Sequence, residues 1–107
     1  MRLETVEKPI TIGSGNIDLG EALRAYAEAE MLKVASKYFG RLTQGSAHFG
    51  REGEFYRCSV SFQMGGLPRM AAEATAAEAR LAFDQALEKV AKQLRRKKRE
   101  LREDKNA

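Results

Sequence analysis

A dense run of cationic side chains is the part of this sequence whose chemistry is clearest. Residues 89–107 carry nine Lys or Arg and three Asp or Glu, a net charge of +6, centred on five consecutive cations at 95–99. Residues 1–88 carry ten basic and twelve acidic residues, a net charge of −2. Clustered cations attract polyanions and neutralise phosphates without reading bases. The sequence therefore predicts a nucleic-acid partner for its last segment.

A solvated helix end, a membrane-surface helix and a leucine zipper each account less well for the basic run. A solvated end explains two or three cations that suit the helix dipole, but not nine with few acids nearby. A membrane-surface helix would need its apolar stripe, which the core also needs and in which Phe83 is the sole aromatic residue. A zipper has too short a repeat here, with Lys97 in a core position between leucines seven residues apart.

A second set of cations lies earlier in the chain, off the apolar stripe of the first predicted helix. Its members are Arg24, Lys33 and Lys37. By themselves they read as ordinary surface charge. We expect them to extend the basic surface only if the two predicted helices pack side by side on a sheet.

The remaining reactive groups predict neither an enzyme nor a metal or cofactor site. Gly-Ser-Gly at 13–15 lacks the third glycine of a dinucleotide fingerprint, because Asp18 stands there, so a turn and helix cap are expected. Cys58 lies in the apolar register of a strand and reads as a small buried hydrophobe. His48 is the only histidine, which excludes multi-histidine metal ligation and leaves Cys–His catalysis unsupported. The carboxylate pairs read as surface acids: Glu28 with Glu30, and Glu52 with Glu54.

Length and composition indicate a single domain over residues 1–107, with a loose start at 1–8 and a tail or linker start at 105–107. The chain is 43% hydrophobic and 32% charged, which is typical of a soluble globular domain. No apolar run approaches the roughly 18 residues of a membrane span, and no signal-peptide core follows the first residue. We expect a cytoplasmic protein with no membrane partner and no small-molecule substrate.

The first elements are predicted from alternation and capping signals. Residues 10–12 alternate apolar and polar side chains and predict a short strand that ends at the glycines of 13–15. Asp18 and Glu21 have the spacing of a capping box, so a helix is expected over 19–39. Its apolar stripe should comprise Leu23, Ala27, Met31 (or Glu30), Val34 and Tyr38.

Three strands are predicted next, over 46–51, 55–64 and 67–75, with a turn at Gly53 between the first two. The third should begin near Pro68 or lie at a sheet edge, because proline has no amide proton to donate. The middle strand has the clearest alternation, and its apolar face comprises Tyr56, Cys58, Val60, Phe62 and Met64.

The last predicted element is a long amphipathic helix over 76–103. Its apolar stripe comprises Phe83, Leu87, Val90, Leu94 and Leu101. Its opposite side carries Lys89, Lys92, Arg95, Arg96 and Arg99. The order of elements predicts an α+β fold, β-α-β-β-β-α, with a four-stranded sheet and both helices on one face.

Four segments carry a resemblance to a known family. They are NIDLGEALR at 16–24, KYF at 37–39, AFDQALEKV at 82–90 and KQLRR at 92–96, the last followed by further Lys and Arg. Through them the chain resembles the hibernation promoting factors, also called ribosome-associated inhibitors, from residue 10 to about residue 104.

The resemblance implies a topology similar to that of double-stranded-RNA-binding domains, with a different RNA-binding mode. It further implies a bacterial factor that binds the small ribosomal subunit in the channel for messenger and transfer RNA, and inhibits translation in stress or stationary phase. By position in the matching helices, the implied contacts to ribosomal RNA are Lys89, Lys92, Arg95, Arg96, Lys98, Arg99 and Arg102, with Arg24, Lys33 and Lys37 secondary.

The sequence departs from the family pattern in its acidic body and in its length. Long members carry a second, C-terminal domain that pairs two ribosomes, whereas this sequence stops just after the second helix. We expect either a short form or the N-terminal half of a long one, and the ending favours the latter. Ribosome dimerisation is expected only if a C-terminal domain exists in the full protein.

Two more functions stay open at the level of sequence. One is a generic RNA- or DNA-binding module with no preference for ribosomes. The other is a protein-interaction domain that docks its basic helix on an acidic partner.

Overall fold

A computed structural model describes residues 10–15, 17–38, 42–65 and 67–106 of the chain, without the side chains of 38, 42, 43 and 101–106. Six elements follow one another: β1 (Ile10–Ser14), α1 (Gly20–Tyr38), β2 (Leu42–Glu52), β3 (Phe55–Met64), β4 (Met70–Ala76) and α2 (Ala79–Asn106). Their order confirms the predicted β-α-β-β-β-α fold. The expected loose start and the last residue, Ala107, lie outside the described residues.

The four strands form one sheet in the order β1-β2-β3-β4. β1 pairs with β2 in parallel, and the other two neighbouring pairs are antiparallel. β1 and β4 are therefore the edge strands, as the proline before β4 suggested. Both helices pack on one face of the sheet and enclose a single core with its inward side chains, which confirms the two-layer architecture.

β3 has the bounds predicted for it. Cys58, Val60 and Phe62 are fully buried beneath the helices, while Arg57 and Ser59 lie on the uncovered face. A two-residue loop joins β2 to β3, with Glu52 opposite Phe55 in register. The first loop residue, Gly53, has a φ of 63°, which a glycine adopts without the steric cost that a Cβ brings.

α1 begins where Asp18 accepts a hydrogen bond at Oδ1 from the Gly20 amide at 3.3 Å. Its buried side consists of Ala27, Met31 and Ala35. Met31, the first of the two alternatives in the predicted stripe, is therefore the core residue, and Ala35 takes the central place expected of Val34. Small alanines allow the helix to approach the sheet closely.

The helices meet the sheet over Gly45 and Phe49. A Cβ on Gly45 would lie 3.2 Å from the side chains of Ile10 and Phe62 and 3.3 Å from Met31, so only glycine fits under α1 without a shift. The Phe49 and Phe83 rings stack with centroids 6.0 Å apart and join β2 to α2. Burying such aromatic side chains contributes about 2 kcal/mol each to folding.

Four predicted boundaries are wrong, each because pairing extends or ends a strand. β1 continues to Ser14, since Gly13 and Ser14 pair with His48 and Phe49. β2 starts at Leu42, four residues earlier than predicted. The Leu67 amide donates to the Met64 carbonyl at 3.1 Å in a turn, so β4 starts only at Met70. Ala76 pairs with Tyr56 in the sheet, and α2 begins three residues later.

Candidate nucleic-acid interface

α2 separates an apolar stripe from a cationic surface, as predicted. Phe83, Leu87, Val90 and Leu94 are buried against the sheet. Of the predicted contact residues, Lys89, Lys92, Arg96 and Arg99 are exposed, and Arg95 and Lys98 are half-buried. The side chain of Arg102, and that of Leu101 in the stripe, lie outside the described residues. The core therefore holds the helix while leaving most of its cations in contact with solvent.

A cluster of four side chains joins the two helices near their N-terminal ends. The Tyr26 hydroxyl donates to Asp84 Oδ1 at 2.6 Å, and the Arg80 guanidinium lies 4.2 Å from the centre of the Tyr26 ring. Tyr26 also meets Phe83 edge to face. The hydrogen bond to Asp84 raises the pKa of Tyr26 above its ordinary value of 10.0, and burial adds to the shift.

The helices run parallel to each other, because each is antiparallel to the strand beneath it. On α2, Lys89 and Gln93 contact Glu73 and Ala71 of β4 in reverse order. On α1, Arg24 contacts Ile12 of β1, whereas Met31, seven residues later, approaches the level of Ile10. The C-terminal ends of both helices therefore point in the same direction.

Helix periodicity then brings the later cations of α1 and α2 to neighbouring flanks. Tyr26 marks the side of α1 that faces α2, and Lys33 and Lys37 follow it by 7 and 11 residues, which returns them to the same side. Asp84 marks the corresponding side of α2, and later residues share it: Arg95, Lys98 and Arg99. We call these five cationic residues the basic flank. The condition set for a broader basic patch, helices side by side on the sheet, is met.

Two predicted contact residues lie elsewhere. Arg24 donates from Nη1 to the Ile12 carbonyl at 2.7 Å, at the sheet edge farthest from α2. Lys89 donates from Nζ to the Glu73 carbonyl at 3.0 Å, at the opposite sheet edge. Neither belongs to the basic flank, because each side chain reaches down to an edge strand. Lys92 and Arg96 lie on the outer side of α2, away from the core.

Ion pairs on the helices are exposed and easily exchanged for other partners. Lys33 and Glu30 are 3.3 Å apart, and Arg95 and Glu88 are 3.5 Å apart. Lys97, which was not among the predicted contacts, pairs with Glu100 at 3.2 Å. Exposed pairs of this kind contribute about 0–1 kcal/mol. A phosphate can therefore replace these carboxylates at small cost.

The uncovered face of the sheet has no comparable excess of cations among the residues that the structure describes. Arg57 donates from Nε and Nη2 to both carboxylate oxygens of Glu73 at 2.8 Å, and Glu52 lies 3.3 Å from the same guanidinium. The hydrogen bonds with Glu73 raise the pKa of Arg57 further above its ordinary value. This network was not predicted, because it joins residues on three strands whose pairing the sequence pattern does not reveal.

The residues considered for catalysis are not brought together. Cys58 is fully buried in β3, and burial raises the pKa of its thiol to about 12, so it is not a reactive nucleophile. His48 is exposed on the uncovered sheet face beside Gly13 and Gly15. Within the described ranges, no group of three or more His, Cys, Asp or Glu could hold a metal ion. None of the described helices is long and apolar enough to cross a membrane.

The fold and the basic flank together define a two-layer α+β domain with a cationic surface on its helical side. The family model for the Sigma 54 modulation protein / S30EA ribosomal protein matches residues 10–102, and the chain belongs to this family. The resemblance seen in the sequence is thereby confirmed. No curated protein matches the chain by sequence.

Two solved structures share the fold. The N-terminal domain of Protein Y from Thermus thermophilus has a TM-score of 0.72 at 20% identity, covering 80% of this chain and 93% of that one. A ribosomal subunit interface protein from Coxiella burnetii has a TM-score of 0.73 at 16% identity, covering 83% of this chain and 96% of that one. Both agree with the element order and the layers described above.

Proposed function

We propose that this protein binds the small ribosomal subunit in the channel for messenger and transfer RNA, and inhibits translation during stress or stationary phase. Membership of the S30EA ribosomal protein family over residues 10–102 carries the proposal. The structural likeness to a ribosomal subunit interface protein from Coxiella burnetii agrees with it. Such a partner would place the protein in the bacterial cytoplasm.

The proposed contact surface is the basic flank, extended by Lys92, Arg96 and Arg102 of α2. Its cations neutralise phosphates of ribosomal RNA and release the counterions condensed on them. Recognition is by phosphate position and shape, because the large aromatic side chains of this side, Phe49 and Phe83, are buried in the core. Lys89 and Arg24 contribute less, since both already donate to sheet carbonyls.

The proposed mechanism is occupancy without catalysis or a cofactor. α2 continues for 13 residues beyond Gln93, about 20 Å at 1.5 Å per residue, whereas only Met70 remains of β4 beyond Ala71. The C-terminal part of the helix therefore extends past the end of β4. A rigid cationic rod on a folded body can occupy space that messenger or transfer RNA would use.

A salt series of binding to purified small subunits tests the electrostatic account. The logarithm of the binding constant should fall linearly with the logarithm of salt concentration, with about 0.7–0.9 of slope for each phosphate neutralised. A slope near zero would refute contact through phosphates. Sedimentation with ribosomal particles in sucrose gradients would show in the same samples whether the partner is the ribosome.

Charge reversal locates the surface. The triple variant Arg95→Glu, Arg96→Glu and Arg99→Glu should fold normally, since none of the three belongs to the apolar stripe, and should no longer bind small subunits. Arg99→Glu alone should weaken binding by about tenfold, the loss of one contact worth roughly 1.4 kcal/mol. Arg69→Glu is the matched control, because Arg69 is equally an exposed arginine but contacts Ser61 on the uncovered sheet face. Equal losses in both single variants would contradict the assignment.

Competition separates the proposal from its two rivals. Excess duplex RNA should fail to displace the protein from small subunits; displacement would indicate a generic nucleic-acid-binding module. Nuclease digestion should release the protein from its partner in a pull-down. Retention after digestion would instead indicate that the basic helix docks on an acidic protein.

A further inference from the structure

The outer edge of β4 is closed by two side chains of α2. Gln93 Nε2 donates to the Ala71 carbonyl at 3.0 Å, and Lys89 Nζ donates to the Glu73 carbonyl at 3.0 Å. Within the described part of the chain β4 pairs only with β3, so these two carbonyls are on the side of the strand that has no neighbour. They are the acceptors that an additional strand would use.

The spacing of donors and acceptors matches. Four residues of helix rise about 6 Å, the distance from Lys89 to Gln93. Two residues of strand extend about 6.6 Å, the distance from Ala71 to Glu73. A helix that lies along an edge strand can therefore supply one donor per outward carbonyl, provided polar residues recur every four positions on that side.

The exposed composition of β4 would otherwise favour pairing with another strand. Its sequence is MAAEATA over 70–76, in which the alanines leave the backbone open to close approach. Two antiparallel copies of a seven-residue strand, paired about their centres, would place Glu73 opposite Glu73 of the second copy. Like charges directly opposite are destabilising, so Glu73 adds a second obstacle to the same event.

We propose that Lys89 and Gln93 close the β4 edge against strand addition by a second copy of this chain, so that the domain stays monomeric. Lys89 is then a residue that prevents self-association, separate from the RNA contacts of the basic flank. The inference goes beyond the proposed function and does not depend on it.

The test is the mass of the protein in solution when both donors are removed. Lys89→Met with Gln93→Met keeps the length of both side chains but leaves the two carbonyls without their donors. The matched control, Lys92→Met with Gln85→Met, removes the same residue types from exposed positions of the same helix. In sedimentation equilibrium the wild type and the control should stay at 11.9 kDa, and the edge variant should approach twice that mass as concentration rises.

A proline identifies the edge at which the copies pair. The Ala71 amide points to the same side as its carbonyl, so it is free of the ladder with β3. Ala71→Pro in the edge variant should remove an outward donor without breaking the sheet and should restore the monomer. A dimer that persists in this variant would refute pairing at β4.

Two further outcomes overturn the proposal. A folded edge variant that remains monomeric at every concentration would show that the donors do not prevent association. If the methionine pair does not fold, Lys89→Ala with Gln93→Ala is measured in its place. Loss of folding in both pairs would assign the two residues to stability and refute a role confined to the edge.

Discussion

Tyr26 and Asp84 hold the two helices together across 58 residues of chain. The hydroxyl donates to a carboxylate at 2.6 Å, and the tyrosine ring contacts both Phe83 and Arg80. Neither residue stood out in the sequence, where Tyr26 falls outside the predicted apolar stripe of α1. This contact helps to fix the distance between the basic residues of the two helices.

Tyr26→Phe should therefore destabilise the fold by about 1 kcal/mol at neutral pH, the worth of one partly exposed hydrogen bond. The pKa of Tyr26 is raised in the folded state, so the stabilisation is complete below about pH 10 and is lost as pH rises through the folded pKa. Urea unfolding of wild type and variant between about pH 7 and pH 11 should show two curves that converge at the alkaline end. A constant difference would contradict the assigned hydrogen bond.

At the scale of elements, the approach of α1 to the sheet depends on Gly45. Gly45→Ala should cost about 1–3 kcal/mol, because the added methyl meets Ile10, Phe62 and Met31 at 3.2–3.3 Å in a packed core. Gly50→Ala is a control in the same strand, since a Cβ there has no heavy atom within 4 Å, and it should be close to neutral. Equal thermal denaturation midpoints for the two variants would show that α1 packs less closely.

The elements themselves could largely be predicted, and their ends could not. β3 alternates apolar and polar residues because one of its faces is buried, so its bounds followed from the pattern. Residues 13–14 and 76 joined strands because partners for their backbone groups lay alongside, which a local pattern does not show. Leu67 left β4 because a turn used its amide.

The candidate site was predicted in the same partial way. Periodicity placed Arg95, Arg96 and Arg99 off the buried stripe, and no knowledge of the sheet was needed. The different positions of Arg24 and Lys89 follow from which strand lies beneath each helix. That depends on strand order, and the sequence alone offered no means of deriving it.

At the scale of the whole molecule, charge is divided between two sides. The helical side carries the basic flank, while Arg57 on the opposite side is balanced by Glu52 and Glu73. Such a distribution orients a diffusing protein toward a polyanion before contact. The uncovered sheet face should then point away from the RNA in the complex.

The core between the two sides should open only when the whole domain unfolds. Cys58 is fully buried at its centre, and burial raises the pKa of its thiol to about 12. Labelling of the native protein by a disulfide reagent at about pH 8 should be limited by global unfolding, whereas protein in urea should react at once. In a Cys58→Ala background, Ser59→Cys places a thiol on the exposed face of the same strand and should react quickly. Rapid labelling of native wild type would contradict a closed core.

The parallel direction of α1 and α2 has an electrostatic consequence inside the molecule. Each helix carries the equivalent of about half a negative charge on the carbonyls of its C-terminal end, and here both ends point the same way. Two such ends add roughly one negative charge in the region where the cations cluster. The field that a ribosomal RNA would meet is thus weaker, by about one elementary charge, than the formal +6 of residues 89–107 indicates. Part of that positive charge is needed within the domain merely to neutralise its own backbone.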